Sequence, residues 1–175
     1  MRLAFPAAAR HNASMSLLRF LMFLSLIVWL GGLIFFPVVA QASFAVLPTR
    51  HLAGLVVGHS LVILHWMGIV SGAVFLTTSL LFNRLVHGTP RAFSARHIFV
   101  VLMLALTLVS QFAVIPRMEA LRASVGGDID TVSLANPAHI QFDSLHIWST
   151  RIEEAVILFG LVLAYMTASA FATRR

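Results

Sequence analysis

The sequence predicts an all-α integral membrane protein, a bundle of four transmembrane helices with both termini in the cytoplasm. Three observations carry that prediction. Residues 20–49, 52–83, 97–116 and 155–173 contain no Asp, Glu, Lys or Arg, and a helical bilayer crossing takes about 20 apolar residues. The chain is 59% hydrophobic with a mean hydropathy of +0.94, outside the range of soluble cores; in hydrocarbon, only helices and closed barrels satisfy the backbone polar groups. The twelve basic residues, all arginine, are distributed unevenly. With four crossings, Arg2, Arg10, Arg19, Arg84, Arg91, Arg96, Arg174 and Arg175 share one side that holds no carboxylate. Arg50, Arg117, Arg122 and Arg151 lie on the other side with all six acids, Glu119, Asp128, Asp130, Asp143, Glu153 and Glu154. Arginine-rich flanks are retained inside, so the acidic loop is expected outside, and the expected location is a bacterial cytoplasmic (inner) membrane.

At 175 residues the chain reads as a single membrane domain, 1–175. Its pI of about 11.7 comes from short flanks that meet lipid headgroups, so the bilayer is the expected partner and nucleic acid is not. The absence of cysteine excludes disulfides and thiolate metal sites and leaves histidine and carboxylate to hold any metal. Ala40-Gln41-Ala42 resembles a signal-peptidase site, but the preceding apolar run far exceeds a signal peptide's ~7–15 residues, so the first span is expected to be retained.

Four helices are expected over approximately 15–47, 52–82, 95–123 and 137–172, with an outer loop over 124–136. In the first, Pro37 cannot donate to the Leu33 carbonyl, which predicts a kink; the short turn after Pro48 makes the first two helices antiparallel neighbours. In the second, Gly54, Gly58, His65, Gly68 and Gly72 share a face at small-xxx-small spacing, which turns His65 away from lipid. Gly88-Thr89-Pro90 marks an inner turn. The third span ends in Thr107, Ser110 and Gln111 before Ile115-Pro116, and Gly126-Gly127 with Asp128-Ile129-Asp130 reads as loop. Asn136-Pro137 reads as an N-cap followed by proline at the first helical position. From there no breaker occurs before Ala172, so this helix, ~54 Å long at 1.5 Å per residue, should project from the membrane.

On that helix His139, Asp143, His146, Thr150 and Glu153 fall within about 40° of one line at 100° per residue. Imidazole and carboxylate on successive turns can converge on a divalent ion, which makes His146, Glu153, Asp143 and His139 the candidate metal ligands; a solvated helix face is the plainer reading for His139 and Asp143. Glu153 and Glu154 at the edge of an apolar span should face the interior or pair with a charge, with Arg151, Arg117 and Arg50 as available partners. His65 and His59, both inside the second span, are the candidate cofactor-binding residues. The glycine face beside His65 suits a flat ligand such as haem. The six-residue separation rotates the two by 240°, so one straight helix cannot present both to one small ion. His11, His87 and His97 are expected to be solvated in the inner flanks. Trp148 fits an outer aromatic belt, whereas Trp29 and Trp66 lie deeper, as packing residues.

The run Trp29-Leu30-Gly31-Gly32 through Phe36-Pro37 to Phe44-Ala45-Val46-Leu47-Pro48, with Ala53-Gly54, Leu64-His65-Trp66, Ile115-Pro116-Arg117-Met118, Phe142, Leu145-His146 and Ser149, resembles the transmembrane-protein-205-like domain, a family of unknown function. The resemblance spans roughly residues 17–170 and implies a four-helix integral membrane protein. A basic residue often follows the last histidine of that pattern, where Ile147 stands here. A weaker likeness, confined to the first two spans, is to membrane protoporphyrinogen oxidases and copper-resistance D proteins; the oxidases use an intramembrane lysine, which this chain lacks.

Three functional readings follow. The leading one is a non-enzymatic membrane protein whose outer-facing polar site, built from His59, His146, Glu153 and Arg117 with Arg151 and Glu154 nearby, takes a small ligand, a metal ion or a partner. The second is a haem-binding or porphyrin-handling redox protein centred on His65. The third is an accessory subunit that associates with other membrane subunits or with its own copies.

Overall fold

The structure, a computed structural model, describes residues 7–88 and 94–172. Thr89, Pro90 and Arg91 of the expected inner turn, Arg2, Arg174 and Arg175, and the side chains of Arg10, His11 and His87 lie outside the described residues. The fold is all-α: α1 (Ala7–Val46), α2 (Arg50–His87), α3 (Ala95–Val109), α4 (Ile115–Ser124) and α5 (Pro137–Ala172), with a π-helical turn at Ser110–Val114 joining α3 to α4 and a 3₁₀ turn at Ile129–Thr131. Four helical segments, Asn12–Val46, Arg50–Val86, Ala95–Ser124 and Pro137–Ala170, are long and apolar enough to cross a membrane.

Local chemistry sets the boundaries. The Thr49 hydroxyl accepts from the Leu52 N–H at 3.2 Å and starts α2. The Asn136 side chain accepts from the Ala138 N–H at 2.8 Å ahead of Pro137, whose missing donor costs nothing at that position. α4 ends where the Gly127 N–H reaches back to the Arg122 carbonyl at 2.8 Å, with Gly126 and Gly127 at φ +87° and +98°, a conformation glycine adopts without penalty. α1 continues through Pro37. Pro116 cannot donate to the Phe112 carbonyl, and ahead of it the chain widens by one residue, the Ile115 N–H bonding to Ser110 O. Within the spans the hydroxyls of Thr78, Thr150, Thr167 and Ser43 donate to carbonyls four residues back, which hides them from lipid.

α1 packs along α2, α2 on α3, α3 on α5, and α5 back on α1, so α2 and α5 stand on a diagonal. The core between them contains Met22, Leu26, Trp29, Leu33, Phe75, Val100, Met103, Val156 and Leu163, and the outward faces present Phe20, Ile27, Phe35, Ile63 and Leu158, as lipid requires. Trp29 is 2% exposed, and its indole lies across Gly68 and Gly72. The glycine face of α2 is therefore filled by a tryptophan of α1, and no slot for a flat ligand is left there. Trp66 turns outward, edge-on to Phe112 at 6.1 Å, a correction to its expected packing role. His97 also departs from the solvated position expected of it. It is 4% exposed, bridging the Ser79 and Ser94 hydroxyls at 3.0 and 2.8 Å and tying α2 to the start of α3.

A methyl group at Gly68 would press into the Trp29 ring, whereas one at Gly31 would meet nothing within 4 Å. Gly68→Ala should therefore cost about 1–3 kcal/mol by overpacking, and Gly31→Ala should be neutral or slightly stabilising. Thermal unfolding in detergent compares the two, with Trp29→Leu expected to restore part of the loss in the Gly68 variant.

Candidate functional site

At the carboxylate-bearing end the four helices splay around a cavity of about 740 Å³. Phe36, Phe44, Phe142, Leu61 and Ile157 form its apolar wall; His139, His146, Arg122 and Glu153 are among its polar groups. α1 ends and α2 begins here, and α4, the loop and the projecting start of α5 form the far side.

Arg122 reaches into this space because α2 has no side chains opposite it. A Cβ on Gly54 or Gly58 would sit 3.5 or 3.8 Å from the guanidinium nitrogens. The guanidinium stacks 4.9 Å over the Phe142 ring and donates to Glu119 Oε1 at 2.7 Å, with the arginine side chain only 14% exposed. The same small residues read as a helix-packing face thus house a cation.

Behind the lining, bonded to Glu153, lies His65. Its side chain is 1% exposed, its Nε2 lies 2.7 Å from Glu153 Oε1, itself 13% exposed, and its Nδ1 lies 2.9 Å from Gln111 Oε1. The bond to Glu153 crosses the bundle diagonal from α2 to α5, and the π turn supplies Gln111 from the third side. With the Gln111 oxygen toward Nδ1, both ring nitrogens face acceptors, an arrangement that is satisfied when imidazole and carboxylate hold two protons between them; with the amide turned over, one proton suffices. The two-proton arrangement is neutral as a unit, the less costly state for ionisable groups at membrane depth.

The remaining sequence-derived candidates scatter. His139 is buried within 3.7 Å of Asp143, whose side chain is 62% exposed, and His139 Nδ1 has no partner among the described residues. His146 and Asp143 are exposed on the cavity wall. Glu154 lines the mouth and pairs with Arg151 at 2.8 Å, both exposed. Among the described residues no three histidines or carboxylates converge to hold a metal ion, so the shared helix line of His139, Asp143, His146 and Glu153 does not bring them to one point: 14 residues spread them along the axis. His59 is exposed outside the cavity lining, its Nδ1 against the Leu55 carbonyl at 3.0 Å, and Arg117 lies on a separate depression with Gln141 and Ser144. Neither joins His146 and Glu153, since each projects from its helix in another direction. Sequence reasoning passed over Gln111 and Arg122. An uncharged amide closing an apolar span, and an arginine opposite two glycines one turn apart, were the available signals.

Fold and site together define a multi-pass helical membrane protein with a polar-floored cavity at one end. Residues 24–125 match the family model described as "Domain of unknown function (DUF4149)", more than half of the chain; the protein belongs to that family. The matched segment contains His65, Gln111 and Arg122 and ends before α5, which supplies Glu153. No curated protein and no solved structure matches it.

Removing one member of the buried pair strands the other. Glu153→Leu should cost about 3–5 kcal/mol and Gln111→Leu about 1–3 kcal/mol, whereas the double replacement His65→Phe with Glu153→Leu should recover much of the first loss. Equilibrium unfolding in micelles, run as a double-mutant cycle, tests the coupling.

Proposed function

We propose that this protein is a non-enzymatic binder of a small amphipathic molecule, seated in a bacterial inner membrane with both termini in the cytoplasm and the cavity open to the outside. The observation that carries the reading is the cavity itself: about 740 Å³, within the size range of small-molecule sites, with an apolar wall and a few convergent polar groups. The arginine asymmetry supports the orientation. The likeness to the transmembrane-protein-205-like domain agrees with the four-helix architecture and adds no activity to it.

The geometry favours a small organic ligand over the other candidates. A haem iron needs a free imidazole nitrogen, and both nitrogens of His65 are engaged. A divalent ion needs several converging donors, and the described residues bring no three together.

Cysteines placed at the exposed Asn12 and Ser133 test the orientation: Ser133→Cys should react with an impermeant thiol reagent in intact cells and Asn12→Cys only after lysis. The reverse pattern would turn the cavity to the cytoplasm. For ligand binding, a panel of amphipathic compounds of each charge type should contain members that raise the melting temperature; a ligand at 100 times its dissociation constant adds about 2.7 kcal/mol. Ala40→Trp, which fills the cavity from α1, should abolish that shift while the protein still unfolds cooperatively. If no compound stabilises the wild type, the binding reading fails.

A further inference from the structure

We infer that the cavity selects a lipophilic organic cation, a bulky amine or onium ion, and that its binding expels the proton held between His65 and Glu153. The inference rests on the reading of the cavity as a ligand site and names the class of ligand.

The first support is charge. The chain is +6 overall, yet the cavity is lined by five of its six carboxylates, Glu119, Asp130, Asp143, Glu153 and Glu154, and by only two arginines, Arg50 and Arg122. Arg122 is spent on Glu119 and on the Phe142 face, and Arg50 is exposed at the mouth. The cavity therefore carries negative potential in an otherwise basic protein, and low-dielectric walls concentrate such a field. Phe36 and Phe44, beside Phe142, offer apolar and ring surface of the kind that holds onium ions. His139 adds a buried nitrogen, Nδ1, with no partner among the described residues, in the same wall.

The second support is the floor. As drawn by its hydrogen bonds, the pair has no net charge to offer an incoming cation. Once one proton leaves, neutral His65 donates from Nε2 to Glu153, and Nδ1 becomes an acceptor, satisfied when the Gln111 amide turns over and presents its N–H₂. Glu153, which lines the cavity, is then an anion facing the ligand. The exchange balances: protonated pair plus cation gives deprotonated pair with bound cation plus one proton in solution. The other ionisable groups of the cavity are Arg50 and His51 at the start of α2, the latter held 3.5 Å from Asp128 on the loop, Asp130 on the 3₁₀ turn, Glu119 and Arg122 on α4, and His139, Asp143, His146 and Glu154 on α5; α1 contributes none. Among the lining carboxylates Glu153 lies within hydrogen-bond distance of a histidine, 2.7 Å, whereas Asp143 stands 3.7 Å from His139.

Tetraphenylphosphonium is a suitable probe, with tetraphenylborate and a neutral tetraphenyl analogue as controls of the same size. In equilibrium dialysis of the purified full-length protein, phosphonium affinity should rise with pH, by about tenfold per unit where one proton is displaced. A weakly buffered titration should release close to one proton per cation bound. Glu153→Gln should abolish the proton release and weaken binding at least tenfold, and Arg117→Gln, at a charge outside the cavity lining, should change binding by less than threefold. If Glu153→Gln fails to fold, the wild-type proton count still decides. Tetraphenylborate or the neutral analogue binding in preference would overturn the inference and leave the cavity a ligand site. Phosphonium binding without proton release would overturn it too. Failure of all three probes, together with failure of the wider panel, would instead remove the binding reading on which the inference stands.

Discussion

The bundle is arranged around one buried hydrogen bond between ionisable groups, His65 Nε2 to Glu153 Oε1 at 2.7 Å. His65 and Glu153 sit on diagonally opposed helices, so their hydrogen bond fixes the relative depth of α2 and α5 through the interior, where helix-to-helix side-chain packing does not act directly. Gln111 then closes the second ring nitrogen. Gln111 stands in the wide turn ahead of Pro116. A helix irregularity that would be costly against lipid is tolerated here, because the polar group it delivers is needed inside.

Two different uses of small residues on α2 follow from the same helical face. Gly68 and Gly72 let the Trp29 indole lie flat against the backbone and close the bundle below His65. Gly54 and Gly58, about four turns higher, let Arg122 extend into the space above it. Packing without voids in one half and an arginine-lined opening in the other come from one stripe, and the histidine stands at the border between them. His97, bridging Ser79 and Ser94 near the opposite end, pins α2 to α3, while the cavity of about 740 Å³ lies at the acidic end.

Long uncharged stretches made the four helices legible in the sequence, because span length and hydropathy depend on local composition alone. The inward direction of His65 was legible too, since glycines at four-residue spacing mark a protein-facing stripe. Helical arithmetic reached less far on α5: it aligned His139, Asp143, His146 and Glu153 correctly on one side, but alignment is two-dimensional, and a stripe 14 residues long cannot converge on one ion. Gln111 was read only as the polar close of a span, because its partner His65 lies on another helix. Arg122 and Glu119 were read by their charge and side of the membrane, whereas their partners, Phe142 and the gap over Gly54 and Gly58, depend on how α4 folds back over α2, which no local pattern encodes. His97 was assigned to solvent by its place in a flank; of the two serines that hold it, Ser94 precedes its own helix and Ser79 lies on α2.

The position of the proton-sharing pair follows from these constraints. Deeper in the bundle, Trp29, Met103 and Val156 pack without exposure, and a carboxylate there would have no route to water. Glu154, the next residue on α5, pairs instead with Arg151, and both are exposed. Glu153 is 13% exposed on one side and bonded to a histidine that is 1% exposed on the other. Only at that depth does the carboxylate see the cavity contents as its main alternative to the proton, so that filling the cavity with positive charge and emptying the pair of its proton become one event.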